Sequence, residues 1–248
     1  MKLTVAGREA YAYTGGKPFD PALPCVVFVH GAGNDHSGFT LLARWFAHHG
    51  RAVLAVDLPG HMRSAGPVLP DVEAHADWLL ALLDAAGVQR AALVGHSLGS
   101  LIALEAAGRA PQRVTHLVLI GTAFPMQVSE QLLATAQAQP LAAMRMTNAW
   151  SISTLANKPG LPGPGSWLHG GGLALMQRVQ AAAGGFNVFH HGFAMCHAYR
   201  GGLEAAARVT CPTTLVLGRA DQMTPPRATR DLAAALRART VTVASGHH

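Results

Sequence analysis

Hydrophobic positions along this chain follow two alternating rhythms. Cys25–Val29 and Ala52–Val56 are apolar at every position, the pattern of strands covered by helices on both faces. Residues 91–94, Val114–Ile120 and 213–217 continue the series, and 240–243 ends it. Between the strands the period changes to that of a helix. Residues 39–49 carry Leu42, Trp45 and Phe46 at helical spacing, with Ser37 ahead as a cap and Gly50 behind as a stop. Residues 71–86 place Val72, Ala76, Leu79, Leu80 and Leu83 on one face, with Asp71 and Glu73 at the positive end of the helix dipole. Segments 2–6 and 9–14, joined by Gly7-Arg8, read as a hairpin. Strands and helices in alternation predict an α/β fold with a mostly parallel sheet covered on both faces.

The rhythm breaks between residues 121 and 209. Helix-length pieces at 128–139, 141–146, 173–183 and 186–199 replace the strands, and a Gly/Pro-rich connection, Pro159 to Gly165 with Gly170 to Gly172, divides them. The predicted organisation is one core formed by 1–121 and 207–248, with 122–206 inserted as a helical lid over the working edge of the sheet. Two separate domains fit less well, because too little chain follows the insertion to fold alone. A helix at 226–238, opened by Pro225 and Pro226, falls between the last two strands.

Composition narrows the function classes. A length of 248 residues suits one large α/β domain. The net charge of +6 comes from scattered arginines, and the densest group, Arg227, Arg230, Arg237 and Arg239, is interrupted by Asp231. That is no track for nucleic acid. Cys25, Cys196 and Cys211 lie far apart and form no disulfide framework, which points to a reducing compartment. No signal-like start or apolar run of ~18 residues occurs. A soluble cytoplasmic protein acting on a small molecule is the expectation, with no membrane or nucleic-acid partner. Its assembly state is open, a homodimer included.

The chemistry centres on Gly95-His96-Ser97-Leu98-Gly99, a G-x-S-x-G between a strand-like and a helix-like segment. In that context a serine on a tight turn exposes its hydroxyl above the sheet; the same residues also read as a plain glycine loop before a buried helix. Acyl transfer needs a base, a group orienting it and oxyanion donors. Each has a candidate at a strand end. Leu98 offers a backbone N–H at a helix start, and Ala32, in His30-Gly31-Ala32-Gly33, offers a second, with Gly33 as a weaker donor candidate. Asp221 follows the strand at 213–217, and His247 follows the last strand in Ser245-Gly246-His247. Competing roles are a helix cap for Asp221 and a tag remnant for the terminal histidine pair. His96 reads as a packed residue directed away from Ser97, and Asp57 and His61 as residues holding a loop near the site. Gly33, Trp150, Phe189, Phe193 and Tyr199 are the candidate pocket residues. No H-E-x-x-H occurs, and the adjacent pairs His48/His49 and His190/His191 diverge on a helix, so no metal is expected.

Taken with Asp57-Leu-Pro-Gly-His-Met-Arg-Ser64 and Gly218-Arg-Ala-Asp221, these motifs span nearly the whole chain, which resembles the α/β-hydrolase fold family with a helical lid. The resemblance implies an eight-stranded sheet with its second strand antiparallel, an insertion between strands six and seven, and no cofactor. It implies a serine hydrolase whose triad is Ser97, Asp221 and His247, cleaving an ester of a small, largely apolar substrate. Serine at position 97 argues against the dehalogenase and epoxide hydrolase branches, which use aspartate there. Carbon–carbon bond hydrolases of ring-fission diketones share the triad, and a non-catalytic small-molecule receptor on the same scaffold is the alternative outside enzymes. Two departures stand out. Met62 occupies a position where the family's loop usually has glycine, and the family's last helix would lie beyond His248.

Overall fold

A computed structural model describes residues 1–152 and 167–248; the Pro159 to Gly165 connection lies outside the described residues. Eight strands build one sheet: β1 (Lys2–Val5), β2 (Arg8–Tyr13), β3 (Cys25–Val29), β4 (Ala52–Val56), β5 (Ala91–His96), β6 (Val114–Ile120), β7 (Thr213–Gly218) and β8 (Arg239–Val243). Their order is β1-β2-β4-β3-β5-β6-β7-β8. β2 runs antiparallel to both neighbours, and every pairing from β4 to β8 is parallel. The mostly parallel α/β architecture read from the sequence is the one observed.

Period-two alternation sorts the strand residues onto two faces. Cys25, Val27, Val29, Leu54, Val56 and Leu93 join one core with Leu79, Leu82 and Leu83 of α2 (Val72–Ala85) and with Leu101 and Leu104 of α3 (Leu98–Arg109). Val26, Phe28, Val53, Ala55 and Val94 face the other way, toward Phe39 and Ala43. Phe28 is fully buried between Phe39 and Phe46, so truncating it to alanine would cost about 3–5 kcal/mol. Asp71 caps α2 by accepting from Ala74 N–H at 2.7 Å, which satisfies one of the helix's unpaired donors.

Several elements differ from the sequence pattern. The first helix is a 3₁₀ turn at His36–Phe39, capped by Asp35 rather than Ser37, followed by α1 (Thr40–His48). Its sheet-facing stripe is Phe39, Ala43, Phe46 and Ala47, leaving Leu42 and Trp45 exposed. The small Ala43 is what fits against the sheet. Between β6 and β7 lie α4 (Glu130–Ala138), α5 (Pro140–Ser151), α6 (Leu168–Ala182), α7 (Val188–Ala198) and α8 (Gly202–Arg208). α5 runs past the expected end at Met146 to Ser151, and α6 includes Gly170 to Gly172, expected in the connection. The core boundary expected at 206/207 cuts through α8, which packs on α3 so closely that a Cβ on Gly108 would stand 2.8 Å from Ala205 Cα. α8 therefore packs on α3 and adds Ala205 and Ala206 to the main core. In place of one helix at 226–238 there is a 3₁₀ turn, Pro226–Thr229, and then α9 (Arg230–Ala235). No helix among the described residues is long and apolar enough to cross a membrane.

Candidate active site

Ser97 stands where β5 ends and α3 begins, at φ +52° and ψ −120°. A non-glycine residue held there costs about 1–3 kcal/mol, and the surrounding packing has to enforce it. Ser97 N–H donates to Ile120 O at 2.9 Å, locking the turn to β6. The flanking glycines leave no room for side chains: a Cβ on Gly95 would fall 2.1 Å from Gly99 O, and one on Gly99 would fall 2.1 Å from Val29 O. Ser97 itself stays partly exposed while its neighbours are buried. Leu98, the first residue of α3, follows it directly, in the turn whose N–H groups have no partner within the helix.

The loop after β3 packs onto this turn. A Cβ on Gly31 would lie 3.0 Å from both Ser97 Cβ and His96 Nδ1, so only glycine lets the backbone carrying Ala32 come this close to the serine. His30 anchors the loop: its Nδ1–H faces Gly31 O at 2.9 Å, and its Nε2 accepts from Leu58 N–H at 3.1 Å. Asp57 ties in the next loop, accepting at Oδ1 from His36 N–H (2.9 Å) and His36 Nδ1 (2.7 Å), and at Oδ2 from Arg63 N–H (3.2 Å). Met62 has φ +44°. It keeps the left-handed backbone that glycine favours and lines neither of the two cavities at Ser97.

Backbone lacing joins the loops after β7 and β8. Arg219 N–H donates to Val243 O at 2.9 Å and Ala220 N–H to Ser245 O at 3.0 Å. Asp221 and His247 are thereby brought together, with His247 Nδ1 2.9 Å from Asp221 Oδ2 and both residues buried. A carboxylate only accepts, so Nδ1 carries the imidazole proton and Nε2 is left as the basic nitrogen. Burial pushes the Asp221 carboxyl upward, but the His247 hydrogen bond and charge, with donors from Thr224, outweigh it and hold the carboxyl below its ordinary value. Thr224 donates its hydroxyl to Asp221 Oδ2 at 2.7 Å and its N–H to Oδ1 at 2.8 Å, and its hydroxyl also lies 3.1 Å from His247 Nδ1.

The His247 peptide is held on both sides. Its N–H donates to Ser151 O of α5 at 2.9 Å, and its carbonyl lies 3.0 Å from His96 Nε2. Since a carbonyl only accepts, His96 carries its proton on Nε2. Burial first, then the neighbouring His247 and His248, keep His96 neutral, well below the usual histidine range. His96 is buried, in keeping with a packed residue, and it holds the His247 loop.

Ser97, Ala32, His96 and His247 all border one cavity of about 310 Å³. A second chamber of about 220 Å³ also opens on Ser97 and is lined by Met126, Leu132, Trp150, Phe193 and Cys196. Of the candidate pocket residues, Phe193 lines both chambers and Trp150 the smaller. The others line neither. Phe189 is fully buried among Leu132, Met144 and Met176, and Gly33 sits beneath it, where a Cβ would come 2.9 Å from the Phe189 ring. Tyr199 is in the core, donating its hydroxyl to Glu105 Oε2 at 2.6 Å. Among the described residues, the metal-competent group is Asp35, His36 and Asp57. Its atoms are already engaged with one another, with Ser37 and with Arg178.

Sequence reasoning missed Thr224 and Ser151. The signal for Thr224 was present, since Asp-x-x-Thr is a side-chain-capped turn. Ser151 depends on tertiary packing, since its partner His247 lies far away in sequence.

The family model described as alpha/beta hydrolase fold matches residues 24–248. The chain belongs to that family. The chain is 41% identical over 130 residues to a dihydrolipoyllysine-residue acetyltransferase component of the acetoin cleaving system of Pseudomonas putida, covering 50% of this chain and 32% of that protein. The match thus spans about a third of that relative's length. Among solved structures, the enol-lactonase of Burkholderia xenovorans LB400 superposes with TM-score 0.81 at 21% identity, covering 100% of this chain and 92% of that one. The meta-cleavage product hydrolase of Pseudomonas fluorescens IP01 superposes with TM-score 0.76 at 20% identity, over 100% and 90%. At these identities the likeness is one of fold.

Proposed function

We propose that this α/β-hydrolase fold protein is a serine hydrolase that cleaves a small ester, cyclic esters included, through an acyl-enzyme. The observation carrying this reading is that Ser97 and His247 border one cavity, with His247 Nδ1 donating to the buried Asp221 and Nε2 left as the base. The name of the Burkholderia enol-lactonase supports an ester-type bond.

In this reading His247 Nε2 takes the proton as Ser97 Oγ attacks the carbonyl carbon, and the negative charge on the carbonyl oxygen is held by Leu98 and Ala32 N–H groups. Asp221 keeps the imidazole in the productive tautomer and stabilises the imidazolium. Collapse of the tetrahedral adduct breaks the bond to the alcohol oxygen, which leaves with the proton from His247. Water then attacks the acyl-enzyme by the same route, returning Ser97 and releasing the acid. The segment between β6 and β7 acts as the lid that shapes the substrate cavity.

The test is turnover of 4-nitrophenyl butanoate and γ-butyrolactone beside a ring-fission diketone, with the Ser97→Ala protein as control. Ester or lactone cleavage that depends on Ser97 supports the reading. Cleavage confined to the diketone replaces it with carbon–carbon bond hydrolysis, and turnover unchanged in Ser97→Ala overturns the serine mechanism.

A further inference from the structure

The helices between β6 and β7 touch the loops on which hydrolysis depends. α7 lies on the loop after β3 so closely that a Cβ on Gly192 would stand 2.8 Å from Ala32 Cβ, 3.3 Å from Ala32 Cα and 3.7 Å from Leu98 Cδ2. One glycine of the lid thus packs on both candidate oxyanion residues. Beside it, a Cβ on Gly33 would come 2.9 Å from the Phe189 ring of α7 and 3.4 Å from Met176 Cγ of α6. Arg178, further along α6, donates from its guanidinium to Asp35 Oδ2 at 3.0 Å. Asp35 is buried, and its Oδ1 accepts from Ser37 N–H at 2.7 Å, which fixes the turn after Ala32 and Gly33. Among the described residues this is the one ion pair between the lid helices and the rest of the protein. A third tie reaches the base, where Ser151 O of α5 accepts from His247 N–H at 2.9 Å. Neither Gly192 nor Arg178 lines a cavity at Ser97.

Resting on the hydrolase reading, we infer that the lid sets the geometry of the catalytic groups, with Gly192 and Arg178 as positioning residues that act through Ala32, Leu98 and Asp35 without touching substrate. Oxyanion donors are effective when they are held in place before the charge develops. Ala32 cannot hold itself there, because Gly31 and Gly33 flank it and glycine leaves the backbone free. Packing has to fix it. Ser97 and His96 close on the loop at Gly31, and Gly192, Phe189 and Met176 close on it from the lid. Any side chain at position 192 displaces Ala32 or lifts α7. The Arg178 guanidinium pins the same loop further on, since the Asp35 carboxylate that it pairs also caps the Ser37 turn. Lifting the lid removes the outer packing of Ala32 and the partner of the His247 N–H together. The oxyanion hole and the base are therefore complete only while the lid is seated, and closure over a substrate assembles them.

The experiment separates positioning from substrate fit by measuring turnover of 4-nitrophenyl butanoate beside the rate at which diisopropyl fluorophosphate labels Ser97. Labelling carried to its endpoint normalises each rate to folded protein. Arg178→Met keeps the length and apolar stem of an exposed side chain and removes its ion pair. kcat and the labelling rate should fall together, by about 10- to 100-fold, while KM stays within about twofold. Arg178→Lys should restore most of both, because it keeps a cation beside Asp35. Gly192→Ala should cost about 10²- to 10³-fold in kcat, the size of a lost oxyanion donor. A raised KM with kcat and labelling unchanged would reduce the lid to a wall of the cavity, and rates unchanged in Arg178→Met and Gly192→Ala would deny it any part in the reaction. Either result overturns the inference and leaves the hydrolase reading standing. An unmodified protein that is neither labelled nor active overturns the hydrolase reading, and the inference with it.

Discussion

His247 presents its Nδ1 edge to Asp221 Oδ2 at 2.9 Å, with both side chains buried beside the cavity that opens on Ser97. The direction of that hydrogen bond fixes the imidazole tautomer, and the tautomer decides whether Nε2 can act as a base. Asp221→Asn keeps the shape but supplies an amide that can hold the opposite tautomer. We expect kcat on 4-nitrophenyl butanoate to fall about 10³- to 10⁴-fold, with KM nearly unchanged. A loss under tenfold would remove Asp221 from the mechanism.

Thr224 donates from both its hydroxyl and its N–H to the two Asp221 oxygens. Thr224→Val removes one of these donors and leaves the volume alone. A fall in kcat of about tenfold is expected, restored by Thr224→Ser, at a cost of roughly 1–3 kcal/mol in the buried network. Steady-state kinetics of the two variants check this. Equal rates for Val and Ser would reduce Thr224 to a packing role.

Gly31 has less than a methyl group's clearance from Ser97 Cβ and His96 Nδ1. Gly31→Ala must push the Ala32 N–H away from the serine, and losing one oxyanion donor costs about 10²- to 10³-fold in kcat. The expected signature is a large drop in kcat with a thermal midpoint lowered by only a few degrees. A variant that keeps full activity would show that Ala32 is not a donor.

Buried histidines away from Ser97 add to acid sensitivity. Burial holds His61 down at about 3 and His75 at about 4, whereas both titrate near ~6.5 in the unfolded chain. Their stabilisation is full above about pH 6.5, where neither state binds the proton. It is lost as pH falls toward those folded values, because in that window only the unfolded chain takes up protons. At pH 5 the loss is about 2 kcal/mol for each histidine. Urea midpoints at pH 7 and pH 5 measure it, and His75→Gln should remove about 2 kcal/mol of the difference. A midpoint that does not move with pH would contradict the neutral, buried state of both rings.

Legibility from sequence tracked the range of the interaction. β3 and β4 were readable because five consecutive apolar residues in each admit one environment, and the elbow because Gly95 and Gly99 have steric reasons encoded in their spacing. Leu42 and Trp45 misled, since their spacing fits a helix but the sheet accepts only the smaller Ala43 at that distance. The last turn of α5, Thr147 to Ser151, was invisible: Thr, Asn and Ser are poor helix formers that compete for the backbone. Packing keeps that turn helical, with Asn148 Nδ2 donating to His169 O at 2.7 Å and Ser151 O accepting from His247 N–H. Phe189 and Tyr199 were plausible pocket aromatics by position, yet Gly33 and Glu105 claim them. Neither partner is close in sequence.

The central claim is that Ser97 is a nucleophile activated by His247. Its most direct test is covalent labelling of the folded protein by a fluorophosphonate, followed by intact-mass and peptide analysis. One label per chain on Ser97, absent in Ser97→Ala and slowed at least about 100-fold in Asp221→Asn, is the predicted result. An unlabelled protein, or a label on any other residue, would contradict it.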